Sequence, residues 1–296
     1  MIKIYVFVIF LFLGFNLKAY NFDNGDARAI SLGSSSVFLN NANSAWLNPA
    51  SLSRLTKKEI DLSYEVLYLG LDSRVYTGES DYFNNLRVSF ALPLDDRSIG
   101  IGLFQFYSIY FRNTKLRITA TEKLGGFRVG INFKYISYDY IKNEYTDINP
   151  YLQSSELSAE NIGLDAGALA EIIKDNIFAS LSLLNINQPD IGIVTEDRLN
   201  IRIRGGVGLM VSGFSSSLEI EYSEKEISGI HFGLETFLIS RSFPVRLGFN
   251  NSFLPAAGFT FKIKDKPEMG IDYAANLFSE IDSNNGSHYF TFFIKF

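Results

Sequence analysis

The chain has 296 residues, of which 47% are apolar and 15% aromatic, with 27 Phe, 16 Tyr, one Trp, two His and no Cys. This composition excludes a disordered chain, a disulfide scaffold and a Cys-based metal centre, and two His leave little for a catalytic dyad or a His-rich metal site. A net charge of −5 with a pI near 5.2 argues against a nucleic-acid partner, and a mean hydropathy of +0.07 is too low for a membrane protein with several helical spans.

Lys3 is the only charge before an apolar run from Ile4 to Phe15, and Ala19 follows in a short polar stretch. A basic start, an apolar core and a small residue are the layout of a secretory signal peptide, expected here over 1–19. The alternative is an uncleaved anchor, but the run is shorter than the roughly 18–20 residues a spanning helix needs. No Cys is present to carry a lipid anchor. Residues Tyr20 to Lys58 come next, rich in Ser, Asn, Ala and Gly and without alternation. Asn48 stands before Pro49, where it can cap a short helix with proline in its first turn.

From Glu59 onward the period is two. Phe127, Val129, Ile131, Phe133 and Tyr135 alternate with Arg128, Gly130, Asn132 and Lys134, and Ile201, Ile203, Val207 and Leu209 fall opposite Arg202, Arg204, Gly206 and Gly208. Each segment thus has an apolar face and a polar or glycine face, as a β-strand does. About fourteen strands are predicted, near 59–69, 85–92, 98–108, 111–121, 125–138, 160–172, 176–184, 199–211, 214–223, 228–239, 243–252, 256–264, 268–277 and 287–296. Many match the roughly 9–11 residues that a tilted strand needs to cross a bilayer.

Connections after even-numbered strands are tight: Leu94–Arg97, Glu122–Leu124, Ile173–Asp175, Ser212–Gly213, Ser240–Ser242 and Asp265–Pro267. Those after several odd-numbered strands are long: Gly70–Asn84, Asp139–Ala159, Asn185–Arg198 and Phe278–Gly286, although three near Ile109, Ser223 and Phe253 are short. Short periplasmic turns and long external loops on an even strand count are the pattern of an outer-membrane barrel. The fold class expected is therefore all-β, a transmembrane antiparallel β-barrel of about fourteen strands. The non-alternating segment 20–58 would fold into it as a hatch or plug, or else hang below it as a periplasmic tail, leaving 59–296 as the barrel.

A two-residue turn at Ser212–Gly213 would set Val211 opposite Phe214 and Val207 opposite Leu218 on the apolar face, with Arg204 opposite Glu221 and Gly206 opposite Glu219 on the other. Arg202, Arg204, Glu219, Glu221, Glu235 and Arg246 then line the lumen. They admit two readings, a selectivity lining or paired interior charges that fill a narrow bore, and the second is the expected one. Phe290, Phe292, Ile294 and Phe296 share one face of the last strand. A terminal Phe on such a strand resembles the signal read by the outer-membrane barrel assembly machinery.

The stretch Gly25-Asp-Ala-Arg-Ala, Leu32-Gly33 and Trp46-Leu-Asn-Pro-Ala-Ser-Leu52 resembles the start of FadL-like and PorV-like outer-membrane barrels, which share a small-residue segment ending in an Asn-Pro-Ala motif. Asn48, Pro49 and Ala50 match that motif, and Leu184–Pro189, Gly233–Glu235, Val245–Gly248, Ile271–Ala274 and Gly286–Tyr289 lean towards the PorV side. The chain departs from the pattern in its trimmed loops and in Ser34-Ser-Ser36, where relatives have Gly and Ala. The resemblance implies a fourteen-stranded barrel with an internal hatch containing Gly33, Trp46, Asn48, Pro49 and Ala50. In FadL-type channels the hatch moves for a hydrophobic ligand, and Gly100 and Gly102 in the third strand would be candidates for a kink that opens the wall.

Two functions follow from the resemblance. The first is uptake of long-chain fatty acids or other hydrophobic solutes through a hatch-gated lumen. The second is a PorV-like role in protein secretion, with exported clients held at an external rim that includes Tyr140, Tyr145 and Tyr151. Uptake predicts an apolar cavity at Trp46, whereas client binding predicts a filled lumen and rim aromatics. An enzyme is not expected, because neither His231 nor His288 has a nucleophile's sequence context. No cofactor or metal is expected. The partners expected are the bilayer, the barrel assembly machinery, and a hydrophobic molecule or a secreted protein.

Overall fold

A computed structural model describes residues 25–70, 83–108, 110–142, 157–193, 195–237, 243–250, 255–276 and 285–296. The expected signal peptide, the turn at Ser240–Ser242, and Tyr145 and Tyr151 lie outside the described residues.

Alternation produces fourteen strands: β1 (Glu59–Leu67), β2 (Phe83–Leu94), β3 (Arg97–Tyr107), β4 (Phe111–Leu124), β5 (Phe127–Tyr140), β6 (Ser158–Ile173) and β7 (Ile177–Leu184), then β8 (Arg202–Val211), β9 (Phe214–Ser223), β10 (Glu226–Thr236), β11 (Val245–Phe249), β12 (Pro255–Asp265), β13 (Glu268–Asn276) and β14 (Ser287–Lys295). Each pairs antiparallel with its chain neighbours, and β1 pairs with β14 to close the barrel. Closure leaves no unpaired edge, the condition for placing strands in a medium without water. Beyond the last strand, Phe296 and Lys58 exchange backbone hydrogen bonds of 3.0 and 3.2 Å.

The faces are inverted relative to a water-soluble sheet. Along β1, Glu59, Asp61, Ser63 and Glu65 are buried, while Ile60, Leu62 and Tyr64 face outward. Ile118, Phe127 and Phe133 are more than half exposed. That outer surface is stable only against lipid. Phe290, Phe292, Ile294 and Phe296 belong to the same outward face, with Thr291 and Phe293 pointing in.

Tight turns gather at one end. Asp95–Asp96, Gly125–Gly126, Ser212–Gly213 and Lys266–Pro267 each join two strands, and Asp95, Gly125 and Gly213 take the positive φ that such hairpins require. β1 begins and β14 ends at this same end. The Ser212–Gly213 turn sets the anticipated register, with Val211 opposite Phe214, Val207 opposite Leu218, Arg204 opposite Glu221 and Gly206 opposite Glu219. Two expectations need correction. β10 stops at Thr236 and β11 starts only at Val245, so their connection is longer than a tight turn and β11 is five residues long. Pro244, which has no N–H for a ladder, stands immediately before β11. Pairing also runs unbroken through Gly100 and Gly102 on both sides of β3, so no bulge kinks that strand.

Residues 25–55 form a short helix α1 (Ala27–Ser31) and two 3-10 turns, Ala42–Trp46 and Pro49–Arg54, packed against the inner face. Asp26 caps α1 by accepting the Ala29 N–H at 2.9 Å, and Asn48 caps the second turn by accepting the Ala50 N–H at 2.9 Å.

Phe133 lies mid-strand on the lipid face of β5. Phe133→Arg is expected to lower the unfolding free energy in lipid vesicles by about 2–4 kcal/mol, read from the urea midpoint of heat-modifiable migration.

Candidate functional site

Inward-facing positions that would collide with the inner segment are glycine. A Cβ on Gly130 would come within 2.6 Å of the Pro49–Ala50 backbone, and one on Gly167 within 2.0 Å of the Asn48 side-chain oxygen. On the opposite run of strands, a Cβ on Gly248 would lie 2.1 Å from the Gly33 nitrogen, and one on Gly233 2.6 Å from the Leu32 carbonyl. Gly33 itself has φ +65°, and a Cβ there would sit 2.1 Å from the Phe249 carbonyl oxygen. Backbone therefore packs on backbone at both seats, which only glycine allows. Gly100 and Gly102 belong to the same system: they make room for Leu52 and for the Trp46 ring rather than bending β3.

Polar bonds fix the segment between these seats. The Asn48 amide donates to Ser180 Oγ at 3.0 Å and to the Leu181 carbonyl at 3.2 Å, tying the motif to β7. Ser36 donates from its N–H and its hydroxyl to Glu219, at 3.0 and 2.7 Å. His231 Nδ1 lies 2.7 Å from the Gly33 carbonyl oxygen. The Asn43 N–H donates to Asp61 on β1 at 3.0 Å, and the Ala27 N–H donates to Thr291 on β14 at 3.2 Å. Asp26, buried at the start of α1, also accepts from the Asn41 and Asn43 amides, while its burial pushes the carboxyl above its ordinary range. Trp46 is enclosed. Its ring meets Phe104 edge-on with centroids 6.2 Å apart, and the Arg117 guanidinium covers it at 4.4 Å.

The interior charges are paired. Arg202 grips Glu221 with two bonds of 2.9 and 2.8 Å. Arg204 meets Glu219 at 2.5 Å, and Arg246 bridges Glu235 at 2.5 Å and Asp272 at 3.0 Å. Arg28 reaches Glu235 from α1 at 3.4 Å. Two further pairs, Glu65–Arg87 at 3.4 Å and Lys134–Asp165 at 2.7 Å, occupy the opposite wall. A buried pair gains roughly what its desolvation costs, so these bridges fill space and fix the lining rather than add much net stability.

Aromatic side chains join the ion pairs towards the long-loop end. Tyr68, Phe83, Phe106, Phe111 and Tyr138 follow one another with ring centroids 5.4–6.3 Å apart, rising from the core around Trp46 and Phe104. There a cavity of about 350 Å³ opens, lined by Phe111, Tyr138, Tyr140, Ile191, Gly192, Ile193, Thr195 and Asp197. A second cavity, of about 230 Å³, includes Arg28, Glu59, Glu235, Arg246, Asp272 and Lys295 in its lining and lies nearer the tight turns.

The structure thus brings Trp46, Asn48, Pro49 and Ala50 into one seat on β3, β5, β6 and β7, and places Gly33 on the β10–β11 wall. Residues 33–294 match the model of the type IX secretion system membrane protein PorP/SprF. The chain belongs to the PorP/SprF family. Among solved structures it is similar to the Pseudomonas putida toluene transporter TodX, at TM-score 0.59 and 11% identity over 95% of this chain and 98% of that one. A TodX deltaS2S3 mutant, a monoaromatic hydrocarbon channel, gives TM-score 0.60 at 10% identity over 95% and 98%. At such identities the likeness is one of fold. No curated protein matches the sequence.

The chain is therefore an outer-membrane barrel of FadL-type architecture in the PorP/SprF family. Several determinants in this PorP/SprF barrel escape a motif reading: Arg117 over Trp46, the Glu65–Arg87 and Lys134–Asp165 pairs, and the Gly130 and Gly167 seat. Their signal in the sequence is a glycine or a charge on the polar phase of a strand, which carries no information about what lies across the lumen.

Gly130→Leu is expected to evict the Asn48–Ala50 turn while sparing the barrel. Limited proteolysis should then cut at Arg54 or Lys57 in the variant alone, with heat-modifiable migration unchanged. Arg246→Met leaves Asp272 without its guanidinium and Glu235 with Arg28 alone, and should cost about 3–5 kcal/mol in vesicle unfolding, largely restored by adding Asp272→Asn.

Proposed function

We propose that this barrel is a closed component of type IX secretion that holds an exported protein at its external rim, with residues 25–55 serving as a fixed plug. The observation that carries the reading is the filled interior. A hydrophobic solute passing Trp46 would have to displace the Arg117 guanidinium and the Phe104 ring, then cross a region lined by Arg246, Glu235, Asp272 and Arg28. Ionised pairs offer an apolar molecule nothing and would lose their own partners as it passed. Family membership supports the same choice, since the matching model is that of a secretion-system membrane protein. The likeness to TodX supports the architecture, and uptake of fatty acids ranks second on this lining.

Purification from native membranes in mild detergent, followed by protein and lipid mass spectrometry, tests the reading. The expected result is a retained secreted protein and no stoichiometric fatty acid. Fatty acid that co-purifies with the wild type, and is lost in Trp46→Ala with Asn48→Ala, would overturn it in favour of uptake.

A further inference from the structure

The two sets of connections differ in charge. Connections 68–82, 141–157 and 185–201 each contain three Asp or Glu and one Lys or Arg, and 277–286 contains Glu280 and Asp282 with no base. The connections after even-numbered strands are balanced in sequence, with Asp95, Asp96 and Asp175 against Lys174, Arg241 and Lys266. The long connections thus carry an acidic excess in sequence, and among the described residues Asp190, Glu196 and Asp197, with Arg198, lie on the hairpin that walls the aromatic cavity.

That cavity is preformed. Phe111, Tyr138 and Tyr140 supply one wall, and Ile191 and Ile193 supply the other, with Thr195 and Asp197 at the lip. The second wall belongs to a hairpin clasped by Asp190, whose Oδ1 accepts the N–H groups of Gly192 and Asp197 at 2.9 Å each. Backbone bonds from Ile191 to Asp197 at 2.8 Å and from Leu199 to Pro189 at 3.0 Å complete it. The two N–H donors hold the Asp190 carboxyl below the usual carboxylate range, so the clasp is ionised at neutral pH. A wall already ordered spares a ligand the entropy of ordering it.

An apolar floor with an acidic lip selects an unusual partner. A fatty acid would bring its carboxylate against Asp197, and an anionic lipid headgroup would meet the same repulsion. An apolar side chain carried between cationic residues satisfies both features: the ring or branched chain fills the cavity, and Lys or Arg meets Asp197 and Glu196 at the lip. We propose that this cavity is a socket for a Phe, Tyr, Leu or Ile side chain flanked by Lys or Arg on an exported protein. The proposal rests on the client-holding reading above and names the chemistry that the rim recognises.

The test uses the full chain in detergent with three fluorescent pentapeptides: Phe flanked by two Lys on each side, the same peptide with Ala for Phe, and the same with Glu for Lys. Fluorescence anisotropy should show the Phe–Lys peptide binding at least about tenfold tighter than the other two, a difference of about 1.4 kcal/mol. Added NaCl should weaken it, and Ile193→Asp or Tyr140→Ala should abolish the preference. Equal binding of the three peptides, displacement of the Phe–Lys peptide by palmitate, or unchanged preference in both variants would overturn the socket. The purification experiment separates the two levels. A secreted protein retained equally by wild type and Ile193→Asp sinks the socket and leaves the docking reading standing, whereas no retained protein in the wild type removes both.

Discussion

The absence of water in a bilayer is the constraint from which the rest of this molecule follows. Every strand must spend its N–H and C=O groups on a neighbour, and the sheet must meet itself where β1 pairs with β14. Once the apolar faces are committed to lipid, the polar faces are left to fill a closed bore. Glu59, Asp61, Glu65, Arg87, Arg204, Glu219 and Arg246 are all buried there. In a soluble protein such a set would be improbable, because buried charge is tolerated only when it is paired. Here the inner segment and the opposing walls provide the partners.

The inner segment is held by shape before it is held by chemistry. Gly130, Gly233 and Gly248 let its main chain lie directly on the walls, Gly167 admits the Asn48 side chain, and Asn48, Ser36 and Ala27 then add directed bonds to β7, β9 and β14. Contact this close leaves little slack. Ion pairs line the bore along its length, from Arg246–Glu235 near the tight turns to Arg202–Glu221 and Glu65–Arg87 near the long loops, where the aromatic cluster joins them.

Much of the architecture was legible in the residues. Alternation located the strands, and the Ser212–Gly213 turn fixed the β8–β9 register because a two-residue hairpin leaves no freedom in pairing. β11 lies inside the strand predicted near 243–252 but is shorter, because Pro244 cuts its start and pairing ends at Phe249. Gly100 and Gly102 read naturally as a kink, since glycine in a strand marks either a bend or a close approach and one sequence does not say which. The Asn48-Pro49-Ala50 motif pointed to an internal segment, yet its partners Gly130, Gly167 and Ser180 come from three distant strands. The short motifs point to a FadL-related barrel, whereas the family assignment comes from the match across 33–294.

The closing seam is bound from within as well as along its ladder. Asn43 holds β1 through Asp61 and Ser63, Ala27 holds β14 through Thr291, and Ser63 and Thr291 bond to each other at 2.9 Å. A strand seam is the natural weak point of a closed sheet, the place where a wall would part to pass something sideways into the membrane. In this chain the weak point is riveted by the same segment that fills the bore. Parting the wall there and vacating the lumen are therefore a single mechanical event, and a load on either is shared by both.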